Sequence, residues 1–158
     1  MEHSPGRYGK PERELMRYLT ILFVLLLAAE PASAQQELYT IEGEVRFEQE
    51  GGIYVYLVTE EVFGTPFTGI QDTLIQCSQE EQREGRVLFQ FEGITPGTYG
   101  IRVFQDLDGN GRLNRGMFGP TEPWGMSWQG EKPKKWPKWK SIAFEVTSDI
   151  REMVIVLK

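Results

Sequence analysis

The sequence predicts an all-β protein: a single seven-stranded antiparallel β-sandwich with one long Gly- and Trp-rich loop. Three observations carry this. After residue 35, apolar residues recur at every second position and helix-period patterns are scarce. Seven short runs of this kind are separated by turn signals, as in sandwiches. The chain has 158 residues, 40% hydrophobic and 25% charged, which suits one domain plus an appendage.

Residues 39–48 alternate strictly. Ile41, Gly43, Val45 and Phe47 share one face, and Glu42, Glu44, Arg46 and Glu48 the other, which predicts a half-buried strand. Glu50-Gly51-Gly52 supplies a turn. Ile53 to Val58 is a continuous β-branched and aromatic run, expected of a central strand. Gly and Pro make 61–71 a loop. Residues 72–78 form a weaker strand with Leu74 and Gln76 facing one way, and the polar stretch 79–85 reads as a connection. Val87, Phe89 and Phe91 line the next strand. Thr95-Pro96-Gly97 is a tight-turn signal, because Pro presets φ and Gly tolerates positive φ. Tyr99, Ile101 and Val103 follow on one face. After the segment 105–140, strands 141–147 and 151–157 bury Ile142, Phe144 and Val146, then Met153, Ile155 and Leu157.

The N-terminus reads as a leader. Residues 18–29 are uncharged, Lys10, Arg13 and Arg17 precede them, and Ala32-Ser33-Ala34 follows. A charged region, a short apolar region and an A-x-A site predict a secretory signal peptide over residues 1–34. Twelve helical residues rise about 18 Å, too little for a bilayer of roughly 30 Å, so no transmembrane segment is expected after cleavage. Met16 offers a second start with Arg17 as the charged region. Cleavage after Ala34 leaves residues 35–158 as an exported, periplasmic or extracellular domain.

That cut removes His3, the only histidine. A Ser-His-Asp or Cys-His arrangement, a His-bound zinc and a His-held haem are thereby excluded. Lys/Arg and Asp/Glu balance in the leader, so the mature chain keeps the net charge of −6, a poor match for nucleic acid. Cys77 is the lone cysteine, so no disulfide scaffold is expected. It reads as a small strand residue, with an intermolecular disulfide or a reactive thiol as alternatives.

An irregular segment as long as 105–140 is usually functional or disordered. It opens with Asp106-Leu107-Asp108-Gly109-Asn110-Gly111-Arg112-Leu113-Asn114. Oxygen side chains occupy loop positions 1, 3, 5 and 9, and glycine the sixth, as in a calcium loop. Ca²⁺ takes six to eight oxygens, and alternating side chains on a tightly turned backbone converge on one point. Asp106, Asp108, Asn110, the Arg112 carbonyl and Asn114 are the candidate ligands. Position 12 is Met117, so Glu122 is expected to fold back and complete the shell. Affinity in the weak extracellular range, about 10⁻⁴–10⁻³ M, is expected. The other reading is an Asx-rich turn whose carboxylates cap backbone N–H groups.

All four tryptophans, Trp124, Trp128, Trp136 and Trp139, lie just beyond, with Lys132, Lys134, Lys135, Lys138 and Lys140 interleaved. With Lys138 they form a candidate binding face for a glycan or an anionic envelope surface. Alternatively the rings plug the open end of the sandwich, with Met117, Phe118 and Met126, while the lysines stay solvated.

Together these residues resemble a family. Pro96-Gly97-Thr98-Tyr99 leads into Ile101 and Val103. Asp106 to Leu113, Phe118-Gly119-Pro120, Glu122-Pro123-Trp124-Gly125-Met126-Ser127 and Ala143-Phe144 follow. The pattern is similar to the bacterial exported family known as domain of unknown function twenty-one forty-one. The resemblance implies export and a transthyretin-like (prealbumin-like) sandwich, and brings no established activity. The family's acidic and Asn positions fall on Asp106, Asp108, Asn110 and Asn114, and its Glu on Glu122. Gln105 stands in place of the family's His, Asn114 of its Asp, and Pro123-Trp124 of its Gly-Tyr.

The resulting expectation is an exported, non-enzymatic binding or structural module with a Ca²⁺-organised loop. The alternative is an envelope- or glycan-binding domain using segment 124–140. A small glycan-acting enzyme with Asp106, Asp108 and Glu122 as acid and base is a third reading.

Overall fold

The computed structural model describes residue 16 and residues 37–66, 68–128 and 137–158. The expected leader, apart from Met16, lies outside the described residues, as do Lys132, Lys134, Lys135 and Trp136. A compact unit spans Gln36–Lys158. No helix among the described residues is long and apolar enough to cross a membrane.

The described chain is mostly β. In order it forms β1 (Tyr39–Arg46), β2 (Gly52–Val58), α1 (Glu60–Phe63), β3 (Gln71–Ile75), α2 (Gln79–Glu84), β4 (Arg86–Ile94) and β5 (Gly97–Asp106). Then come β6 (Arg115–Gly116), β7 (Gly119–Pro120), β8 (Trp124–Met126), a 3₁₀ turn at Trp139–Ser141, β9 (Phe144–Val146) and β10 (Ile150–Val156). One sheet has the order β10-β1-β4. A second runs β3-β2-β5-β8, with β9 also on β5. β6 and β7 make a separate hairpin.

The count departs from the seven strands expected: ten form among the described residues, in three sheets. The three extra strands, β6, β7 and β8, all come from the segment read as a loop. They are two or three residues long, too short to carry a period-2 signal. The connection 79–85 is also a correction, because it folds as α2. Ser78 accepts from the Glu81 N–H while the Glu81 carboxylate accepts from the Ser78 N–H, and Gly85 ends the helix at φ 65°.

The expectation of all-antiparallel pairing fails at one place. β10 runs parallel to β1, pairing Gly43 with Met153 and Val45 with Ile155. β9 lies beside β5 in the larger sheet, so the chain crosses to the smaller sheet before β10 begins, and a crossover is what parallel neighbours require. The register slips between Ile41 and Gly43, where Glu152 is held at φ 64°.

The alternation in β1 and β4 puts Ile41, Val45, Val87, Phe89 and Phe91 on one side of the smaller sheet. They join Ile53, Val55, Leu57, Ile101 and Val103 of the larger sheet in a single buried cluster. β2 and β5 are buried on both faces, as a continuous apolar run requires. Their other faces give Tyr56, Val58 and Phe104 to a second cluster with Met126 and Ile142. On the edge strand β3, pairing of Ile53 with Ile75 sets the register. Ile75 therefore packs on the core with Cys77, and Leu74 faces outward, 44% exposed. Burial pushes the Cys77 thiol pKa up, the opposite of activation.

Candidate functional site

Asp106 is the last residue of β5. Beyond it the backbone reverses through Gly109 at φ 74° and Gly111 at φ 75°, left-handed values that suit glycine. This turn wraps Asp106. Its Oδ1 accepts from the N–H groups of Gly109 (2.9 Å) and Asn110 (3.1 Å), and its Oδ2 from that of Gly111 (2.7 Å). The hairpin of β6 and β7 then carries the chain back. Thr121 N–H donates to the Asn114 carbonyl, and Glu122 returns to the start of the loop. Its Oε1 accepts from Leu107 N–H (2.9 Å) and its Oε2 from Asn114 N–H (2.8 Å).

Oxygen atoms of Asp106, Asp108 and Glu122 consequently lie within 4.8 Å of one another. Asp106 is 4% and Glu122 6% exposed, whereas Asp108 faces solvent. Two amides tie the cluster together. Asp108 Oδ2 accepts from the side chains of Asn110 (2.9 Å) and Asn114 (2.8 Å), and Asn110 also donates to Asn114 Oδ1 (2.9 Å). Arg112 is exposed, and its N–H donates to Asn110 Oδ1 (2.8 Å). The donor set is all oxygen, with no nitrogen or sulfur ligand, which fits a hard cation such as Ca²⁺. Each carboxylate has about four lone-pair directions, so the N–H bonds do not exhaust it.

The Asn114 amide above all, helped by the Asn110 N–H, holds the Asp108 carboxyl below its ordinary pKa of 3.8. A group with a depressed folded-state pKa stabilises fully above its unfolded value and loses that contribution as pH falls through the lower one. The Asn110 and Asn114 side-chain amide resonances are therefore expected to hold still above pH 3.8 and to move below it. A titration centred above 3.8 would contradict the arrangement.

The tryptophans pack nearby on the outer face of the larger sheet. Trp124, Trp128 and Trp139 are half-buried against the second cluster. Trp124 meets Trp128 edge-on at 5.7 Å, and Trp139 meets Phe63 at 5.7 Å. Lys138 is exposed, and Trp136 lies outside the described residues. Met126 is buried with the rings, but Met117 and Phe118 are not part of any plug. They form the tip between β6 and β7 and are 91% and 99% exposed. Returning Glu122 to Asp106 through so short a hairpin leaves its two tip residues nothing to pack on.

Two residues escaped the sequence reading. Ser127 is buried, accepts the Ile101 N–H (2.8 Å) and donates to the Ile142 carbonyl (2.7 Å), fastening the segment after β8 to β5. Its place in the Gly125-Met126-Ser127 run was the available signal. Arg102 was visible as the one charge inside the apolar run of β5. Gln105, which stands where the resemblance expects histidine, is fully buried. Its Nε2 donates to the Gln49 carbonyl, and its Oε1 has no partner among the described residues.

Fold and loop together define a class: an all-β domain whose turn after β5 gathers acidic and amide oxygens. Residues 44–153 match the family described as "Uncharacterized protein conserved in bacteria (DUF2141)", and the chain belongs to that family. Searches of curated proteins and of solved structures returned no match.

Proposed function

We propose that the chain is an exported, non-enzymatic β-sandwich module of transthyretin-like type whose loop 106–122 is closed by Ca²⁺. The convergence of Asp106, Asp108 and Glu122 to within 4.8 Å carries this reading. Like charges held this close, two of them out of water, repel one another, and a divalent cation relieves that repulsion. Asn110 and Asn114 add neutral oxygens, and the Arg112 carbonyl is the remaining donor. A binding role is favoured over acid–base catalysis because the oxygens of Asp106 and Glu122 already accept fixed backbone N–H groups, which anchors them to the turn. The core shared by the two larger sheets supports the sandwich, and the charged, apolar and A-x-A order of residues 1–34 supports export.

Thermal unfolding tests the cation. At a Ca²⁺ concentration about tenfold above its Kd, stability rises by about 1.4 kcal/mol, or roughly 5 °C in Tm. Mg²⁺, which demands stricter octahedral geometry, gives a smaller shift. The combined Asp106→Ala and Asp108→Ala variant shows none. A wild-type midpoint identical in millimolar Ca²⁺ and in EGTA rules the reading out.

A further inference from the structure

On the outer face of the larger sheet, bordered by Leu113 of the acidic loop, lies a cleft of about 470 Å³. That is within the ordinary size of small-molecule sites. Its walls are apolar and aromatic, formed mainly by Tyr56, Phe63, Phe104, Trp124 and Met126. No Asp or Glu lines it among the described residues, while Arg102 and Arg115 do.

Arg102 makes the cleft chemically specific. It is half-buried in β5, and burial presses its pKa downward from the ordinary arginine value. Its Nη1 donates to the Phe63 carbonyl (3.1 Å), and its Nη2 to the carbonyls of Thr65 (3.0 Å) and Thr68. These bonds use three of five guanidinium N–H donors, and none of the acceptors is charged. The carboxylate nearest in register, Asp72, stands one strand further out, opposite Tyr56, and does not line the cleft. A half-buried cation that, among the described residues, is held by neutral carbonyls, with donors to spare and aromatic walls beside it, is complementary to an anion with an apolar body.

We propose that this cleft is a binding site for a small amphipathic anion, an aromatic or hydrocarbon body bearing a carboxylate. The carboxylate meets Arg102 and the body lies against Tyr56, Phe104 and Trp124. The cleft shares Leu113 and Arg115 with the segment that leads from the ion loop to its hairpin. The anion site does not depend on the cation reading, and holding Ca²⁺ constant keeps the two separable.

Isothermal titration calorimetry with 2-naphthoate, against the uncharged isostere 2-naphthalenemethanol, tests it. The acid is expected to bind saturably and about tenfold more tightly than the alcohol, the worth of one charge-assisted hydrogen-bonded contact. Arg102→Met removes that preference. Because Arg102 also braces Phe63, Thr65 and Thr68, a second variant leaves it untouched. Gly64 lines the cleft at φ −77°, and a Cβ built there meets nothing within 4 Å. Gly64→Phe therefore places a ring at the cleft wall without backbone strain. It is expected to lower naphthoate affinity at least tenfold with Tm unchanged. Absence of saturable binding to the wild type, equal affinity for acid and alcohol, or undiminished binding in a folded Gly64→Phe protein each overturns the proposal.

Discussion

Asp106→Ala is expected to cost about 4 kcal/mol of stability even when every divalent ion is chelated. The carboxylate accepts three backbone N–H bonds within five residues, and it is almost fully buried. A hydrogen bond to a charged acceptor contributes about 1.5–3 kcal/mol, and alanine leaves those donors without an acceptor. Asp106→Asn keeps the shape and one acceptor oxygen, so it is expected to recover about half of the loss. Urea unfolding in EGTA measures this cap alone. Repeating it in Ca²⁺ widens the gap between wild type and Asp106→Ala by the binding term. An unchanged urea midpoint for Asp106→Ala in EGTA would mean that the turn holds itself together without its central acceptor.

The second large effect is steric. Gly43 sits in the middle of β1, with β4 on one side and β10 on the other. A Cβ placed on it comes 2.5 Å from Cζ of Phe89, 2.6 Å from Cε1 of the same ring and 2.7 Å from the Met153 carbonyl oxygen. The ring can turn aside at some cost, but the carbonyl belongs to the paired strand. Overpacking typically costs 1–3 kcal/mol and more when backbone must move, so about 3 kcal/mol is expected for Gly43→Ala. Gly43→Val should prevent β10 from docking. Combining Gly43→Ala with Phe89→Leu relieves the ring clash and leaves the carbonyl clash. A double-mutant cycle by urea unfolding should therefore show partial rescue, with coupling of about 1 kcal/mol. Full additivity would show that the ring and the glycine do not meet.

Residues with a repeating physical constraint were the ones legible in the sequence. Ile41, Val45, Val87 and Phe89 alternate because one face of each strand must leave water, and Ile53–Val58 is continuous because both faces must. Pairing partner and direction leave no such trace, so the parallel docking of β10 was invisible, as was the outward turn of Leu74. α2 was overlooked although Ser78, Glu81 and Gly85 stand at capping distances, because a six-residue surface helix with no buried residue shows no apolar stripe. At the candidate site, the local ligand spacing from Asp106 to Asn114 was readable, since a turn fixes neighbours. The return of Glu122 rested on a hairpin of two-residue strands that nothing in the pattern marks. Arg102 stands out as a charge within β5, but its cleft depends on Phe63, Thr65 and Thr68 meeting that strand, a long-range contact with no local pattern.

The pairing of the first strand with the last has a consequence for how the molecule is made. Thr40 N–H bonds to Asp149 across 109 positions of chain, and the third strand of the smaller sheet is in place only when Ile150–Val156 docks on Ile41–Arg46. Contacts this distant slow folding, because the loop must be closed before the contact is gained. β1 can pair with β4 before β10 exists, so β10 is the strand that joins last. The edge of the smaller sheet is thus completed by the part of the domain made last, and closing that edge is the step with the greatest loop-closure cost.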